Sequence, residues 1–381
     1  MSVFPTKEQV TLCESIRESV DRFENERVVD LDRRCVWNDA AWKASASLGL
    51  AGLTAPVAYG GLGADGMTAV LALETLGEVC QDNALVFCLN AHLWTGVMPI
   101  VHFGTDDQKS RFLSGLAKGE MIGGNAMSER TSGSDVYAMK TTATRDGDDY
   151  VLNGEKIYIT SAPIADVLIV FALTAPERGA FGISAFLVEK GTPGMSCTEP
   201  PEKLGMRTAQ MGFLTFDNCR VPSGNLLGSE GGGLAIFTRS MEWERGYIMA
   251  GAVGAMRRQL DRCVAFARER EQFGQPISQF QLISQKLVDM EMRIETSRLL
   301  LQHFAALQDE GKSALKEAAM TKLHISEAWV RSSEDAIQIH GAKGYLTDEG
   351  IDRDLRDALG SKLYSGTSEI QYQVIAKMMG L

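Results

Sequence analysis

The chain has 381 residues, 45% hydrophobic and 23% charged, with 49 acidic against 38 basic side chains and a formal net charge of −11. That length can bury a substantial core and hold two or three structural regions, and the composition is that of a globular protein. The acidic balance argues against a nucleic-acid partner and against binding to an anionic membrane surface, since both need a basic footprint.

The first third reads as helical. Thr6-Lys7-Glu8-Gln9 has the form of a capping box, with Gln9 able to reach back to the cap. Residues 56–66 are glycine-rich and read as loop, and helical patterns follow over Met67–Val79 and Asp106–Lys118. Near Ile122 the character changes. From there to about Val221 the residues favour strands, with Val167–Phe171, Ile183–Val188 and Leu214–Val221 as short apolar, β-branched runs. Asp146-Gly147 and Asn153-Gly154 read as hairpin turns. The spacing predicts a small β-barrel or sandwich. Gly231-Gly232-Gly233 lacks a strand–GxGxxG–helix context and reads as a flexible connector rather than a phosphate cradle. From Leu234 the pattern is helical again. Ile283, Leu287, Met290 and Ile294 fall on one helical face, and long helices to Met379 suggest an antiparallel bundle.

Seven cysteines (Cys13, Cys35, Cys80, Cys88, Cys197, Cys219 and Cys263) are scattered with no CxxC pair, which reads as free thiols in a reducing compartment. The histidines show no metal-ligand spacing, so no metal is expected. The first eight residues lack a basic region followed by an apolar run, and no window is expected to approach a membrane-spanning length. A cytoplasmic protein is the expectation.

Three segments carry chemistry. Ala126-Met127-Ser128-Glu129-Arg130-Thr131-Ser132-Gly133-Ser134-Asp135 opens the β region with hydroxyls and a glycine, so its backbone can approach a polar ligand closely; alone, it is equally a polar loop with good turn chemistry. Gln338-Ile339-His340-Gly341-Ala342-Lys343-Gly344-Tyr345 is followed by Asp348, Arg353 and Asp357. Near the C-terminus stands Tyr364-Ser365-Gly366-Thr367-Ser368-Glu369-Ile370-Gln371.

Together these segments resemble the acyl-CoA dehydrogenase family over essentially the whole chain. The first two match its two signatures, with Ala342 where Gly or Ser is usual. Arg270-Glu271-Gln272-Phe273-Gly274 with Phe280-Gln281 resembles its cofactor-binding helix-to-loop segment. The resemblance implies an α+β protein: an N-terminal helical domain (1–121), a central β-barrel domain (122–225) and a C-terminal four-helix bundle (226–381). It implies FAD between the β domain and the C-terminal helices. Met127, Ser128, Gly133 and Ser134 would line the isoalloxazine ring. Tyr158, Ile159 and Thr160 would pack against it, Tyr158 standing where many members have Trp. Thr367, Ser368 and Glu369 would lie near the pyrophosphate and ribityl chain, and Arg270, Gln281, Gln338 and Gly341 would reach the FAD of a neighbouring subunit. A site completed across an interface requires an oligomer, and the family is usually a homotetramer with electron-transfer flavoprotein as acceptor.

The family's reaction removes a proton from Cα of an acyl thioester and a hydride from Cβ. Carbon acids are weak, so a positioned carboxylate with a raised pKa is needed. Many members carry it where this chain has Ser365, which cannot serve. A subset including isovaleryl-CoA dehydrogenases carries it on an earlier helix. Met241-Glu242-Trp243-Glu244-Arg245-Gly246 resembles that helix and puts Glu244 at the base position, although a helical glutamate more often simply pairs with an arginine such as Arg239 or Arg245. Ser134, Glu242, Arg245, Ser365 and Gly366 are the expected substrate contacts, with the Ser365 N–H on the thioester carbonyl. Residues 161–167, 241–245 and 365–368, with Ala91-His92, resemble the branch acting on prolyl or acyl groups tethered to carrier proteins, whereas 203–207 reads like ordinary acyl-CoA enzymes. The expected substrate is an acyl or aminoacyl group on a carrier protein. The alternatives are a short or branched acyl-CoA, a catalytically silent acyl-binding flavoprotein, and a reductase or oxidase on the same fold.

Overall fold

The structure is a computed structural model describing residues 5–198 and 202–381; the first four residues of the N-terminal reading lie outside the described residues. The N-terminal helices are α1 (Lys7–Glu18), α2 (Val28–Arg34), α3 (Asp39–Ser47), α4 (Gly66–Val79), α5 (Asn83–Ala91), α6 (Met98–Phe103) and α7 (Asp106–Ala117). The capping box at α1 forms as expected: Gln9 N–H donates to Thr6 Oγ1 at 3.3 Å and Thr6 N–H to Gln9 Oε1 at 2.9 Å.

Helix α5 passes through a π-helical turn, His92–Val97, straight into α6. The whole run Asn83–Phe103 has mean hydropathy 1.6, and 83% of its most apolar stretch is buried in the fold. This departs from the expectation that no window approaches a spanning length: by length and composition one does. Its apolar side chains are those of a core helix packed on every side. Buried His92 explains part of the irregular turn, since Nδ1 accepts the Gly123 N–H at 3.0 Å and ties the helix to the first strand.

The central region holds β1 (Gly123–Ala126), β2 (Thr142–Asp146), β3 (Asp149–Thr160), β4 (Val167–Leu173), β5 (Ile183–Glu189), β6 (Met195–Thr198), β7 (Met211–Pro222) and β8 (Leu226–Leu227). They form one sheet in the order β6-β7-β3-β2-β4-β5-β8, with β1 parallel to β4 on the edge that β2 continues. The sheet curls. Alternate residues of β4 (Leu168, Val170, Ala172) meet Tyr150, Leu152, Leu214 and Phe216 inside the curl. The others (Val167, Ile169, Phe171) pack on Ile100, Phe112 and Leu116 of α6 and α7. A strand buried on both faces reads as a continuous apolar run, which is what Val167–Phe171 is.

Of the two expected hairpin dipeptides, Asp146-Gly147 turns the chain between β2 and β3. Asn153-Gly154 does not; it lies inside β3. The pairing with β7 slips there, between Leu152 and Gly154. Gly154 has φ 144°, and a Cβ on it would stand 2.6 Å from Thr141 Oγ1, so this glycine serves a bulge and a close contact rather than a turn.

Helices α8 (Gly233–Tyr247), α9 (Ala250–Glu269), α10 (Gln281–Asp309), α11 (Leu315–His340), α12 (Ile351–Ser361) and α13 (Ser368–Met378) complete the chain. They share one core with the N-terminal helices. Helix α4 presses so closely on α9 that a Cβ on Gly77 would lie 2.0 Å from Gly251 O, and one on Gly254 2.0 Å from Glu74 O. Met290 and Ile294 are fully buried on the predicted face of α10. The glycine triplet before α8 is a packed joint rather than a flexible connector. Gly231 N–H donates to Ser184 Oγ at 2.8 Å, and a Cβ on Gly233 would stand 2.8 Å from Ile183 O.

Asp348 and Asp357 staple the regions together. Asp348 pairs with Arg33 of α2. Asp357 accepts the Met206 N–H at 2.5 Å and Asn83 Nδ2 at 3.1 Å, and burial pushes its carboxyl up to about 7. Arg353 donates from α12 to the Gln81 carbonyl at 3.2 Å.

Candidate active site

Helix α8 turns Glu244 into the protein, where it is 7% exposed. Burial pushes its carboxyl up to about 7, against the opposing pull of the Ser365 hydroxyl, Arg245 and Lys322. A carboxyl with that proton affinity can both hold and release a proton near neutrality. The Ser365 hydroxyl lies close enough to favour the charged form of Glu244, yet makes no hydrogen bond of good geometry with any partner.

The loop at Ser365 is bent by two consecutive left-handed residues, Ser365 at φ 55° and Gly366 at φ 86°. Both carbonyls of this bend point into the protein. Ser365 O accepts Arg245 Nε at 3.0 Å and Gln371 Nε2 at 3.1 Å, while Gly366 O accepts Gln371 Nε2 and Lys322 Nζ, each at 2.8 Å. The N–H groups of Ser365, Gly366 and Thr367 have no hydrogen-bond partner among the described residues. With its carbonyls held by cations and its N–H edge free, the bend is built to receive oxygen ligands. Thr367 then caps α13, its Oγ1 accepting the Ile370 N–H at 3.4 Å, and Ser368 Oγ donates to Glu327 at 3.0 Å.

The expected flavin-facing residues gather at one end of the sheet. Ser128 O accepts the Ile157 N–H at 2.9 Å, which brings the 127–134 loop beside residues 158–160. Met127 and Ile159 are buried, Ser128 and Thr160 half-buried, and Gly133 and Ser134 exposed. Tyr158 is 60% exposed at φ 56°, a conformation that costs a non-glycine residue about 1 kcal/mol or more and is concentrated at ligand sites. Helix α5 spans the gap between this sheet end and the Ser365 loop. Phe87 packs on Tyr364 with ring centroids 4.5 Å apart, and the thiol of the next residue, Cys88, lies against Ser161. The two clusters therefore flank a single helix.

Arg270, Gln281, Gln338 and Gly341 form a second, exposed group where the end of α9, the start of α10 and the end of α11 meet. Lys286 and Arg293 of α10 both pair with Asp335 there, at 2.6 and 2.8 Å. Gln338 is sixteen residues along α11 from Lys322, about 24 Å at the helical rise. The structure thus sets this group apart from the Ser365 loop and Glu244.

Two expected substrate contacts have other occupations. Glu242 points about 200° around α8 from Glu244 and accepts Ala314 N–H at 2.5 Å, Gln308 Nε2 at 2.9 Å and Arg239 Nη1 at 2.8 Å. Its carboxylate is consumed in joining α8 to the start of α11. Arg245 spends its Nε on the Ser365 carbonyl. Residues that the sequence reading did not single out are Lys322 and Gln371, both fully buried against the bend. A lysine among apolar helix positions (Ala318, Ala319, Ile325) is the signal that could have marked Lys322.

Sequence profiles of the acyl-CoA dehydrogenase family match throughout: its N-terminal domain at residues 6–120, its middle domain at 124–219 and its C-terminal domain at 231–380. The chain belongs to the acyl-CoA dehydrogenase family. It is 40% identical over 341 residues to an L-prolyl-[peptidyl-carrier protein] dehydrogenase of Pseudomonas fluorescens, covering 89% of this chain and 90% of that one. The crystal structure of the prolyl acyl carrier protein oxidase AnaB superposes with TM-score 0.97 at 45% identity, over 99% of this chain and all of that one. The structure of PigA with FAD and proline superposes with TM-score 0.96 at 36% identity over the full length of both chains. FAD is the cofactor of this family. The residues present suit it: a free N–H edge at Ser365–Thr367, an α13 N-terminus beside it for phosphate oxygens, and an open sheet end at Met127–Ser134 and Tyr158–Thr160 for a flat ring.

Proposed function

We propose that this protein oxidises the Cα–Cβ bond of an acyl or aminoacyl group held as a thioester on a carrier protein, with Glu244 as the base. The observation that carries the reading is a buried glutamate with a pKa near neutrality, packed against a backbone bend whose N–H groups are free. Glu244 takes the proton from Cα. The Ser365 N–H donates to the thioester carbonyl oxygen and stabilises the negative charge that develops there, at about 3 kcal/mol for such a donor. When bound, FAD supplies the two-electron acceptor for the Cβ hydride. The Cα–H and Cβ–H bonds break, a Cα=Cβ bond forms, and the proton rests on Glu244 Oε. The Ser365 backbone does the chemistry here, and its hydroxyl only lowers the proton affinity of Glu244 slightly.

The carrier-bound substrate is supported by the likeness to AnaB, PigA and the Pseudomonas fluorescens dehydrogenase. The runner-up is a short or branched acyl-CoA, supported by the family itself; both donors carry the same phosphopantetheine arm. For the acceptor, electron-transfer flavoprotein follows from the family, whereas the likeness to an oxidase favours oxygen. We also place Arg270, Gln281, Gln338 and Gly341 on the FAD of a neighbouring copy in a homotetramer, supported by their separation from Glu244 and the Ser365 loop. A cytoplasmic location is supported by seven free cysteines, and a place in secondary metabolism by the likeness to carrier-protein dehydrogenases.

The test is anaerobic bleaching of the flavin by matched thioesters. Prolyl-carrier protein should bleach it faster than prolyl-CoA or butyryl-CoA, and Glu244→Gln should keep FAD bound while losing bleaching. Faster bleaching by the CoA thioesters would overturn the carrier-protein reading. Full activity in Glu244→Gln would overturn the base.

A further inference from the structure

Lys322 is fully buried on α11. Its ammonium donates to the Gly366 carbonyl at 2.8 Å and lies 5.9 Å from the centre of the Tyr364 ring. Among the described residues it makes no ion pair. Burial pushes the Lys322 amine down to about 7; a buried ammonium without a carboxylate partner is expensive, so its place beside Glu244 calls for a role. Two features define one. The Ser365–Gly366 bend has left-handed φ at both residues, and among the described residues its two carbonyls are held by three side chains, Arg245, Gln371 and Lys322, with no backbone partner. Among the described residues, Lys322 is also one of two cations acting on Glu244, the other being Arg245, which shares α8 with Glu244.

We propose that Lys322 is a positioning residue for the reaction, fixing the Gly366 peptide so that the Ser365 N–H faces the thioester and, when protonated, setting a positive charge beside Glu244. This rests on the reading of Glu244 as base. The groups facing Lys322 are Glu244 and Arg245 from α8, Tyr364 from the loop, Glu327 from its own helix and Glu369 from α13. Glu327 is already engaged by Ser368 and Lys362, and Glu369 is exposed. Glu244 is the one buried carboxyl of the set.

Three substitutions in the FAD-loaded enzyme separate hydrogen bond from charge. Lys322→Met removes both. It should lower kcat about 100-fold, the scale of a misplaced reacting group. It should also move the acid limb of the rate profile up by about one pH unit, as expected when an opposite charge is taken from a carboxyl. Lys322→Gln keeps a donor and drops the charge, so the acid limb should move while the loop stays ordered. Lys322→Arg should restore both in large part. Hydrogen exchange of the backbone amides of residues 364–370, measured in the apoprotein as well, should speed up in Lys322→Met and stay near wild type in Lys322→Gln. An unmoved acid limb in both Met and Gln variants would overturn the charge role, and unchanged exchange in Lys322→Met would overturn the clamp. If Glu244→Gln proved fully active, the base reading would fall, and the exchange experiment would still decide the clamp.

Discussion

The molecule holds two buried lysine–glutamate neighbourhoods, and they behave in opposite ways. In the sheet, Lys156 and Glu129 form a closed pair at 2.8 Å, 0% and 6% exposed as side chains. Lys156 also donates to Met127 O at 3.0 Å, and Glu129 accepts the backbone N–H groups of Lys140 and Thr141 at 2.6 and 3.0 Å. Burial alone would raise the Glu129 carboxyl, but Lys156 and these donors outweigh it and hold it below the usual range. At α8 and α11, Glu244 and Lys322 are close enough to sense each other but do not pair. Lys322 is diverted to a carbonyl, and Glu244 is pushed up to about 7. A satisfied buried carboxylate is inert; an under-satisfied one is poised.

The largest expected difference between the two neighbourhoods is catalytic. Glu244→Gln should lower flavin reduction by ~10³-fold or more, within the range for loss of a general base, whereas Lys156→Met should leave the acid limb of the rate profile where it was. Lys156→Met should instead cost about 3–5 kcal/mol of stability, because it strands a buried carboxylate. Thermal or urea unfolding measures this, and an unchanged midpoint would show the pair to be dispensable.

The pH dependence of stability should have opposite signs at the two sites. Glu129 has a depressed folded pKa, so its contribution is present above the unfolded value and is lost as pH falls through the folded one. Glu244 has a raised folded pKa, so its protonated form stabilises at low pH and that contribution is lost as pH rises from about 4.5 to about 7, on the order of 3 kcal/mol in total. In the apoprotein, Glu244→Gln should therefore raise the unfolding midpoint at pH 8 relative to wild type and change it little at pH 4. Activity should run the other way, rising with pH through about 7 as Glu244 ionises.

Smaller effects fall on the bend. Gly366→Ala puts a Cβ 2.9 Å from Gln371 Nε2 at φ 86°. It should cost about 1 kcal/mol or more of stability and weaken substrate reduction several-fold with FAD retained. Ser365→Ala should do least. It removes a hydroxyl that favours ionised Glu244, so the acid limb should shift up by a few tenths of a pH unit with kcat nearly unchanged at pH 9. A large loss at that pH would give the Ser365 side chain a role that only its backbone is assigned here.

Much of this was legible in the residues. The helix–sheet–helix order, the capping box at Thr6, the apolar run of β4 and the buried face of α10 follow from local patterns, since periodicity and caps are properties of neighbours in sequence. Glu244 is proposed as the base on the resemblance of residues 241–246 to the helix that carries it in part of the family. Asn153-Gly154 was misread because turn chemistry and bulge chemistry use the same residues, and only the approach of Thr141 separates them. The glycine triplet looks flexible in sequence, but its need for glycine comes from the close approach of β5. Glu242 and Glu244 are two residues apart and alike in sequence. Their separation into a structural staple and a poised base depends on which side of α8 meets Ala314 and which meets Ser365. The chain by itself therefore determined its elements, its family and which glutamate to propose as the base. The tertiary structure decided how that base is tuned, because burial, the diverted ammonium of Lys322 and the three-sided hold on the Ser365–Gly366 bend all come from residues distant in sequence.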